Sequence, residues 1–147
     1  MKKQLFLLQG ISGSGKSTIA QHLEYSIGIE ETCIVASADN FWYLEDGKTY
    51  KFDVKRLNEA HRWCRKIVAE AMKTETKNII VDNTNLNQKV VQPYLDMAKE
   101  YGYEVRVIRV DCNINVAKEY NSQRREDRII PEHVIDRQYN SIERIDL

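Results

Sequence analysis

A glycine-rich stretch near the start of the chain constrains its fold more than any other feature. Residues 10–18 read Gly-Ile-Ser-Gly-Ser-Gly-Lys-Ser-Thr and match G-x-x-x-x-G-K-[S/T], a pattern whose backbone N–H groups surround a polyphosphate. An apolar run of strand length, 5–8, precedes it, and apolar residues with helical spacing follow it at 19–27. A strand, a loop and a helix in this order place the helix N-terminus at the bound phosphates. The sequence therefore predicts a nucleoside triphosphate site.

The chemistry of this loop predicts ATP and Mg²⁺ as cofactors. Lys16 is expected to reach the β- and γ-phosphates as a catalytic residue, and the Ser17 hydroxyl is expected to ligate Mg²⁺. The residues expected to contact the nucleotide share the loop and the start of the helix: Gly10, Ser12, Gly13, Ser14, Gly15, Lys16, Ser17 and Thr18.

Length and charge limit the class of protein. A chain of 147 residues is large enough for one domain with its own core, so we expect residues 1–147 to form a single domain. Lys plus Arg and Asp plus Glu balance at 22 each, whereas proteins that coat nucleic acid without preference carry a basic excess. A nucleic acid would therefore be gripped locally, at an end.

Cysteine usage and the length of the apolar runs indicate the compartment. Cys33, Cys64 and Cys112 lie far apart in apolar contexts, so we expect reduced core residues and neither a disulfide nor zinc. No apolar run in the sequence approaches the length of a membrane span. We expect a soluble, cytoplasmic protein with no membrane partner, and its oligomeric state is left open.

Short apolar runs alternate with amphipathic helical segments along the rest of the chain. Further strands are expected at 33–36, 79–81 and 105–110. Arg106 and Arg109 interrupt the valines of the last run, which predicts an edge position for it. This alternation is typical of a three-layer α/β domain with a mainly parallel central sheet.

Helices are expected between these strands and at the end of the chain. One begins after Asp53, a candidate N-cap, and a second either begins near Pro93 or is kinked there. The last helix is expected to begin at Pro131. Its predicted buried face comprises Val134, Ile135, Tyr139, Ile142 and Ile145.

Acidic residues follow two of the predicted strands, at the edge where α/β sheets bind ligands. Asp39 is the candidate general base for an acceptor hydroxyl, and the alternative is a cap on the short turn after it. Asp82 is either a residue of the Mg²⁺ site or a hydrogen-bonded turn residue. Thr84 and Asn85, in the turn after Asp82, either contact substrate or form the turn.

An arginine-rich stretch between Tyr120 and Pro131 is a candidate lid. At least one of Arg124, Arg125 and Arg128 is expected to close on the transferring phosphate, although a solvated loop would have the same composition. Tyr120, just before it, is a candidate for stacking on adenine.

A second basic group is interleaved with aromatic residues. This composition suits a single-stranded nucleic-acid end, through phosphate contacts and base stacking, but also a solvent-facing loop that packs on the core. His61, on the helix that follows, is expected to be a packed histidine. The group comprises Lys48, Lys51, Lys55 and Arg56 with Trp42, Tyr43, Tyr50 and Phe52.

These motifs, in this order, resemble the kinase module of phage polynucleotide kinase–phosphatases and the NEDD4-binding protein 2-like kinase domain. The matching segments are 10–18, Asp39, 82–87, 99–103 and 121–124. The resemblance implies a P-loop kinase fold with a short arginine-bearing lid. It also implies transfer of the ATP γ-phosphate to the 5′-hydroxyl of a polynucleotide, with a nucleic-acid 5′ end as the partner.

The resemblance also implies roles by position. Lys16 and Ser17 match the nucleotide and metal residues, Asp39 matches the general base, and Arg124 matches the catalytic lid arginine. Arg128 is expected to contact the nucleotide together with Arg124. The residues expected at the acceptor are Asp39, Trp42, Lys51, Asn83, Thr84 and Asn85.

Departures from the family pattern concern mainly the acceptor. Trp42 and Tyr120 stand where arginines are expected, and Ser12 replaces a proline. The lid is one residue longer, so either Arg124 or Arg125 is the lid arginine. A P-loop kinase of a small hydroxyl compound, and an ATP-binding switch with little transferase activity, therefore stand as alternatives.

Overall fold

The apolar runs of the sequence form one parallel sheet. The computed structural model describes residues 2–147. Its strands are β1 (Gln4–Gln9), β2 (Cys33–Ala36), β3 (Asn78–Asp82) and β4 (Glu104–Arg109), in the spatial order β2-β3-β1-β4. Every neighbouring pair is parallel. The predicted α/β fold with a parallel sheet is confirmed.

The two central strands form the core of the sheet. Leu5 of β1 pairs with Ile79 of β3 on one side and with Val105 of β4 on the other, and Leu8 pairs with Asp82. Most side chains of β1 and β3 are buried, as expected for parallel strands covered on both faces. β4 lies at an edge, as its arginines predicted, and none of its side chains is fully buried.

Five helices cover the sheet and complete the three layers. They are α1 (Lys16–Ile27), α2 (Leu57–Lys73), α3 (Gln88–Tyr101), α4 (Ile114–Ser122) and α5 (Glu132–Ser141). α2 and α3 pack on one face through a large cluster that includes Cys64, Val68 and Val91. α1 packs on the other face through Ala20, and α4 and α5 enclose a smaller cluster around Ile135.

The helix starts clarify two of the expectations. The Asp53 carboxylate accepts a hydrogen bond from the Lys55 backbone N–H and caps a 3₁₀ turn that leads into α2. The Asn87 side chain accepts from the Val90 backbone N–H, so α3 begins at Gln88 and contains Pro93 within it.

The expected buried face of the last helix is wrong in part. Ile135 is fully buried, but Tyr139 is about half exposed and the helix ends at Ser141, before Ile142. The chain then crosses toward the end of β3, where the Glu143 backbone N–H donates to the Leu86 carbonyl. Ile145 is buried in this crossing segment and not on α5.

The structure also shows the state of the cysteines and whether a described helix could span a membrane. All three cysteines have free thiols, but only Cys64 is fully buried, whereas Cys33 and Cys112 are half-buried. Among residues 2–147, no helix combines the length and the apolar character that crossing a membrane requires.

Candidate active site

The glycine-rich loop packs tightly between β1 and α4. A side chain at Gly10 would place its Cβ 2.8 Å from the Val110 carbonyl oxygen. Gly13 has a φ of +83°, and a Cβ there would overlap the Ala117 carbonyl. Both positions therefore require glycine, one for its close approach to β4 and the other also for its backbone conformation.

Lys16 is the first residue of α1, and its side chain is buried beneath the loop. Its Nζ donates a hydrogen bond to the Ile11 carbonyl at 2.8 Å. Burial lowers the pKa of Lys16 to about 8, although the nearby Asp82 carboxylate opposes this shift. A lysine held in this way lies inside the loop, where an anionic phosphate would restore its preference for the charged form.

Ser17 and Asp82 join the start of α1 to the end of β3. The Ser17 hydroxyl donates to Asp82 Oδ2 at 2.9 Å. Burial raises the pKa of the Asp82 carboxyl, while this hydrogen bond and Lys16 act in the other direction. A hydroxyl and a carboxylate at this distance fit Mg²⁺, which takes few protein ligands and completes its shell with phosphates and water.

Asp39 follows β2 within a 3₁₀ turn (Ala38–Tyr43). Ser37 caps this turn by accepting from the Asp39 backbone N–H, so the Asp39 carboxylate is not the cap. The Tyr50 hydroxyl donates to Asp39 Oδ1 at 3.2 Å, and Arg128 Nη2 donates to Oδ2 at 3.4 Å. Burial, and then the charge of Asp39, raises the pKa of Tyr50. Both carboxylate oxygens are therefore oriented by neighbouring donors.

The three lid arginines have different surroundings. Arg124 is half-buried and lines the same cavity as Lys16; burial lowers its pKa, and so does the nearby Arg128. Arg125 is exposed, donates two hydrogen bonds to Asp127 at 2.7 and 3.0 Å, and lies over the Tyr43 ring. Arg124, and not Arg125, therefore faces the cavity.

A cavity of about 500 Å³ collects most of the predicted residues. A second, more open cavity of about 520 Å³, between the end of β4 and α5, is lined by none of them. We therefore place the candidate active site in the first cavity. The predicted residues that line it are Ser12, Lys16, Ser17, Asp39, Trp42, Asp82, Asn83, Thr84, Arg124 and Arg128.

Eight predicted contact residues do not line this cavity: Gly10, Gly13, Ser14, Gly15 and Thr18 of the glycine-rich loop and the start of α1, together with Asn85, Lys51 and Tyr120. Asn85 is buried with a φ of +47°, and its Nδ2 donates to the Leu8 carbonyl, so it holds the turn after β3 against β1. Lys51 Nζ lies 3.3 Å from Glu45 and 3.9 Å from Asp46. Tyr120 lies on α4 with 57% of its surface exposed.

The cavity also contains residues that sequence reasoning did not assign to the site. Gln138 of α5 accepts a hydrogen bond from the Ser12 backbone N–H at 2.8 Å. His61, interpreted as a packed residue, lines the cavity, and burial lowers its pKa. Tyr50 was grouped only with the basic segment. No local motif marks these positions, because α2, α5 and the loop before α2 reach the site only after folding.

Comparison with known proteins supports the predicted family. Residues 5–145 match the model of the AAA domain family AAA_33. Human NEDD4-binding protein 2 is 37% identical over 101 residues, which are 69% of this chain and 5% of that protein. Rat 2′,3′-cyclic-nucleotide 3′-phosphodiesterase is 28% identical over 120 residues, which cover 75% of this chain and 26% of that protein. The chain thus spans only a small part of these relatives.

Solved structures with low sequence identity share the fold. A chain of the Pnkp1/Rnl/Hen1 RNA repair complex has a TM-score of 0.76 and 23% identity, with 96% of this chain and 44% of that chain covered. The Mycobacterium tuberculosis APS kinase CysC, in complex with AMPPNP and APS, has a TM-score of 0.62 and 16% identity, with 83% and 70% covered. The fold is therefore that of P-loop kinases.

Proposed function

Because this chain belongs to the AAA domain family AAA_33, with a P-loop kinase fold, we propose that it is an ATP-dependent polynucleotide 5′-hydroxyl kinase. One observation carries the proposal: Asp39 lines the same cavity as Lys16 and Arg124. A carboxylate for the acceptor hydroxyl thus lies beside two cations for the transferring phosphate, which is the set of groups that phosphoryl transfer requires.

The residues of the site divide the work of the reaction. Asp39 accepts the proton of the attacking hydroxyl, while Tyr50 and Arg128 hold its two oxygens. Lys16 and Arg124 neutralise the charge that spreads over the γ-phosphoryl oxygens as the bond to the leaving oxygen breaks. The glycine-rich loop binds the remaining phosphates through its backbone N–H groups.

Ser17 and Asp82 would hold Mg²⁺, as their hydrogen bond indicates. When bound, the ion would neutralise negative charge on the phosphates of the nucleotide. Among residues 2–147 no cluster of three or more His, Cys, Asp or Glu side chains could hold a metal. A site that shares its ligands between protein and nucleotide is consistent with that composition.

A polynucleotide acceptor is supported by one solved structure, because the chain with a TM-score of 0.76 comes from an RNA repair complex. A small hydroxyl compound is the second candidate acceptor. The pairing of Lys51 with Glu45 and Asp46 favours it, because this removes a free cation from the expected polynucleotide contact.

Transfer of label from γ-labelled ATP tests these possibilities directly. The acceptors are RNA and DNA oligonucleotides with 5′-hydroxyl ends, together with a panel of small hydroxyl compounds. We expect label at oligonucleotide 5′ ends, and a rate of labelling lower by ~10²-fold or more with Asp39→Asn at matched protein concentration. Label on a small compound alone would replace the proposal with the second candidate, and ATP binding without transfer to any acceptor would indicate a switch.

A further inference from the structure

One part of the active-site cavity is apolar and exposed. Trp42, Phe52, Val54 and Leu57 all line it, and we refer to these four residues as the apolar wall. The Trp42 ring is buried and meets the Phe52 ring edge-on, with 5.0 Å between the ring centroids. Phe52 is 55% exposed, Val54 68% and Leu57 40%. Apolar surface of this kind inside a binding cavity favours an apolar or aromatic group of the ligand.

The same segment offers the cavity no free cation. Lys51 is paired with Glu45 and Asp46, and Arg56 donates to both carboxylate oxygens of Glu59 at 2.9 and 3.0 Å. Of the described Lys and Arg residues between 40 and 60, none lines the cavity. The cations that do line it come from other elements: Lys16, Arg124, Arg128 and Arg137.

The apolar wall is continuous with the candidate general base. Trp42 lies in the same 3₁₀ turn as Asp39, and its carbonyl accepts from the Lys51 backbone N–H at 2.8 Å. Tyr50, which donates to Asp39, is two residues before Phe52. A planar group on Phe52 would therefore lie in the same cavity as the carboxylate that is proposed to receive the hydroxyl proton.

We propose that the apolar wall binds the nucleobase of the acceptor's 5′-terminal nucleoside, and that this base contact, not a contact to the phosphate on its 3′ side, selects the acceptor. This inference rests on the proposed polynucleotide kinase function. Stacking on an aromatic side chain accepts any base, because every base has a π-face, so the selection is for the presence of a base and not for its identity.

Two altered acceptors separate the base from the phosphate. One oligonucleotide has an abasic 5′-terminal residue with all phosphates retained. The other retains the terminal base, but a neutral methylphosphonate replaces the first internucleotide phosphate. We expect kcat/KM to fall at least about fivefold for the abasic acceptor, the lower range of one lost base–aromatic stack, and less than about twofold for the methylphosphonate.

A variant pair assigns the effect to the wall. Phe52→Ala should lower kcat/KM for the intact acceptor about as much as base removal does. In this variant, kcat/KM should be the same for the intact and the abasic acceptor. Phe52→Tyr should restore the discrimination. Leu44→Ala, an exposed apolar residue that does not line the cavity, is the control, and KM for ATP should stay constant in all three.

The outcomes distinguish this inference from the proposed function. Transfer that depends on the phosphate and not on the base, or discrimination that persists in Phe52→Ala, overturns the inference and leaves the kinase assignment intact. Absence of transfer to every 5′-hydroxyl acceptor, with ATP still bound, overturns both.

Discussion

The two halves of the cavity are built on opposite principles. On the proposed phosphate side, the buried Lys16 donates a hydrogen bond to a carbonyl of the loop, and the half-buried Asp82 accepts one from Ser17. On the proposed acceptor side, the apolar side chains of Phe52 and Val54 are exposed. The nearby cation Lys51 is paired with Glu45 and Asp46. One half carries concentrated charge, and the other carries apolar surface.

This difference teaches where specificity can change within such a fold. Many of the groups proposed to bind the triphosphate lie in one contiguous loop, and they bind through backbone N–H groups that a change of side chain does not remove. An acceptor binds through side chains of a surface segment, and a single change, such as Trp42 in place of an arginine, alters the chemistry of the contact. Substitutions of the charged side chains on the phosphate side should lower activity strongly. On the acceptor side, the effect of replacing a charged residue should depend on whether its charge is already paired.

The largest effect is expected at Lys16. Lys16→Ala should lower kcat/KM by ~10³-fold or more, because the lysine contributes both to ATP binding and to neutralising the transition state. The circular dichroism spectrum should be unchanged, since the Lys16 ammonium bonds only to the Ile11 carbonyl. Lys99→Ala, an exposed lysine on α3, is the matched control. Turnover of Lys16→Ala within a few-fold of wild type would contradict the assignment of the phosphate side.

Arg124 and Arg125 provide a matched pair of adjacent arginines. Arg124→Ala should lower kcat about 10³-fold with little change in KM for ATP, as expected of a cation that acts mainly in the transition state. Arg125→Ala should leave kcat within about threefold, because Asp127 and Tyr43 already occupy its guanidinium. Steady-state kinetics on both variants measures the comparison, and the reverse order of sensitivity would assign the lid to Arg125.

Asp39 lies between the two halves, and its substitution tests how they are coupled. Asp39→Asn should lower transfer by ~10²-fold or more at saturating ATP, the usual loss for a general base. ATP affinity, measured by calorimetry, should be retained. A collapse of ATP affinity with transfer intact at saturation would instead place Asp39 on the nucleotide or the metal.

The buried lysine predicts a pH dependence on the phosphate side. Burial lowers the pKa of Lys16 to about 8, so in the free enzyme the ammonium loses its proton as the pH rises through that value. The neutral amine does not attract phosphate, and kcat/KM for ATP should therefore fall about tenfold per pH unit above that pKa. Lys16→Arg is the control, because arginine stays charged in this range. If kcat/KM of Lys16→Arg falls at the same alkaline pH as that of the wild type, a group other than Lys16 causes the fall.

The smallest effect is expected on the acceptor side. Lys51→Ala should change KM for an oligonucleotide less than about twofold, because Lys51 does not line the cavity and two carboxylates, Glu45 and Asp46, surround its ammonium. The sequence had predicted instead that Lys51 contacts the acceptor. A large rise in KM, together with a steeper dependence of wild-type activity on salt, would restore that interpretation, since each phosphate contact releases counterions.

Much of the fold followed from local patterns. The apolar runs predicted β1 to β4 because strands buried on both faces need continuous apolar sequence, and Arg106 and Arg109 placed β4 at an edge. The last helix was predicted less well, because its apolar spacing continues into the segment after Ser141. That segment is not helical: the Glu143 backbone bonds to Leu86, and Ile145 is buried in the core.

Local sequence patterns also predicted only part of the arrangement of the candidate site. The end of β3 and the turn after it supplied four candidates, and the structure gives them different places: Asp82 bonds to Ser17, Asn83 and Thr84 line the cavity with it, and Asn85 is buried against β1. These four polar residues are consecutive in the sequence, so no local pattern predicts which of them face the cavity. The direction of each side chain depends on the strand packed beside it.

The sequence by itself determined the glycine-rich loop, because its pattern of residues lies in one contiguous segment and can be recognised without the rest of the chain. Only the tertiary structure decided that Arg124 faces the cavity while Arg125 faces Asp127, that Tyr50 and Arg128 hold Asp39, and that Lys51 is paired with acids. The physical reason is that a charged side chain takes whichever partner folding brings within reach, and that choice depends on distant segments of the chain.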